Sequence, residues 1–178
     1  MERLSKNLGP QAAIFQAERL SELPRYFCVT DPDLVFNPAL PPDFLADLAR
    51  AMAEHQKGKA GFALDISDRA ALKQTKFSIK PPEVHHIWDW EEQFWTNRLG
   101  FTPGQDPIYA AAIDTTFALY DQERFDPANF LDALRIGGRF TARHLPWYRA
   151  HSLPEDEERA YRETQQHSFY LGTREIAP

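Results

Sequence analysis

Tyr26-Phe27-Cys28-Val29-Thr30-Asp31-Pro32-Asp33 is a run of β-forming residues that stops at two carboxylates. Pro24 bounds it on one side and the Asp-Pro-Asp turn on the other, so the pattern predicts a buried interior strand ending in an acidic loop. Upstream, Gln11 to Leu23 has apolar residues at Ala13, Ile14, Ala17 and Leu20, between Pro10 and Pro24. That is the spacing of a helix. Downstream, Pro41-Pro42-Asp43 opens a second helix with an apolar face of Phe44, Leu45, Leu48 and Met52, closed by Gly58-Lys59. Ala60 to Ile66 reads as a strand, and Pro81-Pro82-Glu83 starts a third helix that runs through Trp95. Ile108 to Ile113 and Thr115 to Tyr120 read as extended segments about Asp114, Gly137-Gly138 as a turn, and Pro154 to Gln166 as an exposed terminal helix.

This alternation predicts an α/β fold with a mixed, mostly parallel sheet flanked by helices. In such sheets ligands sit beyond the carboxyl ends of strands, and Asp31 and Asp33 fall at such an end. The length of 178 residues suits one core. With 43% hydrophobic and 26% charged residues the chain is expected to fold rather than remain disordered. The net charge is -6 and no basic run occurs, which disfavours a nucleic-acid partner. The one cysteine, Cys28, cannot form an internal disulfide and suits a reducing compartment; within its apolar run it reads as a small buried hydrophobe. The first residues lack the apolar stretch of a signal peptide, and no apolar run approaches the ~20 residues of a spanning helix. The expected place is the cytoplasm, or the periphery of a membrane.

Two carboxylates two residues apart on a turn can reach one small volume, where a cation relieves their repulsion. Mg²⁺ and Mn²⁺ take such oxygen ligands and also bind phosphate oxygens. Asp and Pro are equally at home in an ordinary turn. Asp114 ends an apolar stretch, where a partly buried carboxylate suits a general base or a turn cap. Trp88, Glu91, Glu92 and Trp95 share a helical face. They form either an aromatic ligand platform with a carboxylate, Glu91, beside Trp95, or a core-facing stripe with solvated acids. Arg143 reads as a ligand for an anionic group or a surface charge.

The ordered set of segments is similar to one family. Asn7-Leu8-Gly9-Pro10, a helix, and then Tyr26 to Asp33 resemble the middle of a family 2 (GT-A type) glycosyltransferase, where a strand ends in an Asp-x-Asp metal motif. Gly61-Phe62-Ala63-Leu64-Asp65-Ile66, Trp90-Glu91-Glu92-Gln93-Phe94-Trp95, Ile113-Asp114-Thr115-Thr116-Phe117-Ala118-Leu119-Tyr120 and Thr141-Ala142-Arg143-His144-Leu145-Pro146-Trp147-Tyr148 look like successive blocks of an uncharacterised bacterial subgroup. The resemblance implies a GT-A-like domain over residues 1–150, followed by a C-terminal helix and tail over 151–178. It implies transfer of a sugar from a nucleotide-sugar donor to a carbohydrate or other hydroxyl acceptor. Mn²⁺ or Mg²⁺ would be held by Asp31, Asp33 and a late histidine, His144. Asp114, or else Glu91, would be the base, and Arg143, Trp147 and Trp95 would contact substrate. The strand-helix-strand units that open the family fold and bind the nucleotide are expected upstream, in another chain, or lost. A sheet shortened in this way is expected to self-associate through its edge. The alternative function is a non-catalytic binding or interaction module of the same fold.

Overall fold

The computed structural model describes residues 17–74, 76–78, 83–152 and 154–164. In chain order the elements are α1 (Ala17–Glu22), β1 (Tyr26–Val29), β2 (Leu34–Phe36), α2 (Phe44–Glu54), β3 (Lys59–Leu64), β4 (Lys76–Phe77), β5 (His85–His86), α3 (Ile87–Glu92), β6 (Arg98–Phe101), β7 (Pro107–Ala110), β8 (Ala118–Asp121), β9 (Leu134–His144) and α4 (Glu155–Thr164). The Asn7–Pro10 turn, the start of the first expected helix and Pro81-Pro82 lie outside the described residues.

The fold is α/β, with a mixed sheet that is mostly antiparallel rather than mostly parallel. Its order is β1-β8-β3-β9-β7-β6, and β2 also pairs with β9. Among the described residues only β3 and β9 pair in parallel; β1–β8, β2–β9, β3–β8, β6–β7 and β7–β9 are antiparallel. Parallel neighbours need a long crossover, whereas antiparallel ones need only a turn. Of the helices that the sequence suggests between strands, α2 forms as an 11-residue helix. The third one shrinks to α3 and a 3-10 turn over Gln93–Trp95.

β3 is buried along its length and forms the centre. On one face α2 buries Leu48, Ala51 and Met52 against Phe62, Leu64, Leu119, Leu134, Ile136 and Phe140. Full burial of each large apolar side chain favours the fold by roughly 1.5–3 kcal/mol. On the other face Phe27, Ala118 and Tyr120 pack with Leu20 and Leu23 from the α1 end of the chain. Gly61 is required here: a Cβ at that position would stand 2.1 Å from the Phe117 carbonyl oxygen.

Gly137 and Gly138 do not end a strand. They lie inside β9, where pairing with β3 jumps from Phe62↔Ile136 to Ala63↔Thr141. Gly138 adopts φ +59°, the left-handed region that glycine tolerates. The looped-out residues are fastened by the buried carboxylate of Asp106, which accepts from Arg139 N at 2.8 Å and Arg139 Nη2 at 2.7 Å. This bulge lets one long strand change neighbours. Before it β9 pairs with β7, and after it with β2.

β1 lies at the sheet edge, not in the interior. Only Phe27 of its residues is buried, and Cys28 is exposed rather than packed as a small hydrophobe. Among the described residues no strand pairs with the outer edge of β1. Open edges invite another chain, so the protein is expected to self-associate with rising concentration. Sedimentation velocity measures this, and a monomer at every concentration contradicts it.

Candidate metal centre

Pairing direction gathers the acidic segments at one rim of the sheet. β1 and β3 both run antiparallel to β8, and β9 runs parallel to β3. The carboxyl ends of β1, β3 and β9 therefore share a rim with the amino end of β8. Asp31 follows β1, Asp114 and Thr115 precede β8, and His144 closes β9. The β2–β9 ladder sets the final register, because Leu34 lies opposite His144. The Leu145 N–H donates to the Asp33 carbonyl at 2.9 Å. Asp33 and His144, distant in sequence, are side by side for this reason.

His144 Nε2 stands 3.2 Å from Asp33 Oδ1. Asp31, Asp33 and His144 each offer a ligand atom, and these atoms lie within 4.8 Å of one another. Among the described residues this is the one such cluster. Asp33 Oδ1 is buried and faces the His144 imidazole at 3.2 Å, a contact that favours the charged carboxylate. Such an oxygen suits a cation. The His144 ring meets Trp147 edge-on at 5.0 Å, and Trp147 is half-buried against the core. That packing fixes the ring, as the surroundings of metal-binding histidines do.

The two carboxylates are tuned apart. Burial pushes Asp31 up; the Thr115 hydroxyl, which donates to Asp31 Oδ2 at 3.2 Å, and His144 pull against it, while Asp33 and Asp114 push with it. The imidazole beside Asp33 holds that carboxyl below its ordinary value, although burial opposes it. A carboxyl-carbon NMR titration of the metal-free chain should find Asp31 protonating above, and Asp33 below, the ordinary aspartate value of about 3.9. The reverse order would contradict this geometry.

Other expected site residues are placed elsewhere. Arg143 adjoins His144 on β9, and successive strand residues face opposite ways. It lies 3.5 Å from Asp65 Oδ2 and over the Tyr148 ring, lining a half-open groove of about 520 Å³ with Val35, Leu145 and Arg149. Glu91 is not a solvated acid on an aromatic platform. It is 3% exposed, with Arg135 Nη1 at 2.5 Å. Burial pushes its carboxyl up and Arg135 draws it down. Trp95 packs on Tyr109, and its ring fills the space that a Cβ on Gly137 would need. Trp88 stacks on His86 at 4.3 Å. Its helical neighbour Glu92 is exposed, so the expected shared face is split between core and solvent.

Three residues in or beneath the loop that precedes β8 carry little sequence signal. Thr115 is an ordinary loop threonine. Lys59 adjoins an apolar run and looks like its solvated flank, yet it is fully buried. Arg135 sits between Leu134 and Ile136, and an arginine inside an apolar pair was the one available hint. Burial pushes the Lys59 ammonium down to about 7, with Asp114 opposing and Arg135 assisting.

No family model, no curated protein and no solved structure matches this chain.

Proposed function

We propose that the chain transfers a glycosyl group from a nucleoside-diphosphate sugar to an acceptor hydroxyl, with a divalent ion held by Asp31, Asp33 and His144. The observation that carries this reading is the convergence of those three side chains from two segments far apart in the chain, the Asp31-Pro32-Asp33 turn and the end of β9. The buried Asp33 oxygen, held in its charged form beside His144, supports it, and so does the resemblance to family 2 glycosyltransferases that runs from Asn7 to Tyr148. Two carboxylates and a neutral imidazole suit Mn²⁺, and the carboxylates also suit Mg²⁺. When bound, the ion acts as a Lewis acid that offsets charge on the departing diphosphate.

The chain's own residues supply the remainder. Asp31 and Asp33 give the rim the negative charge that recruits the cation, and Trp147 holds the imidazole in place. Asp114 stands close enough to Asp31 to push its carboxyl up. In an inverting transfer its carboxylate accepts the proton of the acceptor hydroxyl as that oxygen attacks the anomeric carbon. Glu91 is paired with Arg135 and is assigned a structural part. Arg143, on the opposite face, is left to the groove beside Tyr148.

The test is calorimetric titration of a nucleoside diphosphate with and without Mn²⁺, followed by assay of donor turnover. Binding is expected only with the metal. Asp114→Asn should leave that binding unchanged and lower transfer by about 10²–10⁴-fold, the usual range for losing a general base. Absence of nucleotide binding under every metal condition would replace this reading with a non-catalytic interaction module.

A further inference from the structure

Below the metal rim the sheet carries buried charge where apolar packing would serve stability at least as well. Lys59 is 0% exposed and Arg135 4%. An ammonium has three N–H donors, and Lys59 Nζ directs them at the carbonyls of Ile113 at 2.6 Å, Asp114 at 3.1 Å and Phe130 at 3.1 Å. Arg135 Nε donates to the Ala112 carbonyl at 2.6 Å, while its Nη1 meets Glu91. Three consecutive carbonyls, at 112, 113 and 114, are thus held from beneath by two buried cations. Both cations come from the central parallel pair, where Gly61 lies opposite Arg135. With its carbonyls turned down, this segment presents the Thr115 hydroxyl to Asp31 Oδ2 at 3.2 Å.

We propose that Lys59 and Arg135 are positioning residues for the metal rim. They anchor residues 112–114 so that Thr115 orients Asp31 as a ligand and Asp114 stands beside it. This rests on the metal reading above and adds a support layer to it. The layer explains why the buried cations lie under this loop and nowhere else on β3 and β9. Groups that orient metal ligands typically change metal affinity by 10–100-fold when removed, and residues that act through one another give non-additive effects.

The experiment is a double-mutant cycle read by Mn²⁺ calorimetry, with Lys59→Met and Thr115→Val singly and together. Each single variant should weaken Mn²⁺ binding by about tenfold, and the double variant should be no weaker than the weaker single one. Amide exchange at Asp114–Thr116 should quicken in Lys59→Met without metal. If Lys59→Met does not fold, Arg135→Lys, which keeps a charge beside Glu91 and gives up the Ala112 contact, should show the same loss coupled to Thr115→Val. Wild-type Mn²⁺ binding that the anchor variants leave unchanged, or losses that simply add, would overturn the positioning role while leaving the metal centre intact. No Mn²⁺ binding by the wild-type chain would overturn the metal reading, and the positioning role with it.

Discussion

Asp33→Ala is expected to remove Mn²⁺-dependent nucleotide binding altogether. Asp33 is the member of the cluster whose oxygen is buried and lies 3.2 Å from His144 Nε2. On the proposed metal reading the change deletes a ligand, and it also removes the carboxylate that faces the imidazole. Residues that merely orient ligands are worth 10–100-fold in metal affinity, so loss of a ligand should exceed about 100-fold. The fold should survive, because Asp33 contributes to the β2–β9 ladder through its backbone carbonyl, which alanine retains. Calorimetry with Mn²⁺ and a nucleoside diphosphate, alongside a melting curve, separates the two effects. Binding that persists within tenfold of wild type would show that Asp33 is not a ligand.

Glu91→Ala is expected to have the largest effect on stability. Glu91 and Arg135 are almost fully buried and meet at 2.5 Å. The Arg135 guanidinium also lies over the Phe94 ring, 4.1 Å from its centroid. Removing the carboxylate leaves an uncompensated cation in the interior, which typically costs about 3–5 kcal/mol. For a chain of this size that lowers Tm by roughly 10 °C. Replacing the pair together, with Glu91→Leu and Arg135→Met, should recover much of that stability, since an apolar pair of similar volume is often as stable. By the positioning argument it should still weaken Mn²⁺ binding, because the Ala112 carbonyl loses its donor. A double variant as unstable as Glu91→Ala would mean that packing, not unpaired charge, sets the cost.

The parts that were legible in sequence share a physical trait: a long periodic pattern or a sharp chemical signature. α2 follows from the spacing of Leu48 and Met52, and β3 from its unbroken apolar run. The acidic turn is visible as chemistry, and the structure places Asp31, Asp33 and His144 together. The antiparallel sheet was hidden because its cues are short. Leu34-Val35-Phe36 is three residues long, yet it sets the register that brings His144 to Asp33. β9 was masked by Gly137-Gly138, which signal a turn locally and form a bulge within the strand. β1 looks interior by composition, but it is an edge strand in which only Phe27 is buried and Val29 half-buried, because pattern alone does not reveal whether a second neighbour exists. Lys59 was unreadable for a similar reason. A lysine at the start of a strand normally reaches water, and only the three carbonyls of loops distant in sequence make its burial possible.

The central claim is that one divalent ion is held jointly by carboxylates of the acidic turn and the imidazole that ends β9. Pulsed electron paramagnetic resonance of Mn²⁺ added to the wild-type chain tests it most directly, since nitrogen bound to the ion gives its own modulation. The account predicts an imidazole nitrogen signal in the wild-type spectrum that disappears in His144→Ala while weaker Mn²⁺ binding to the carboxylates remains. Bound Mn²⁺ with no nitrogen signal, or a nitrogen signal unchanged in His144→Ala, would contradict it.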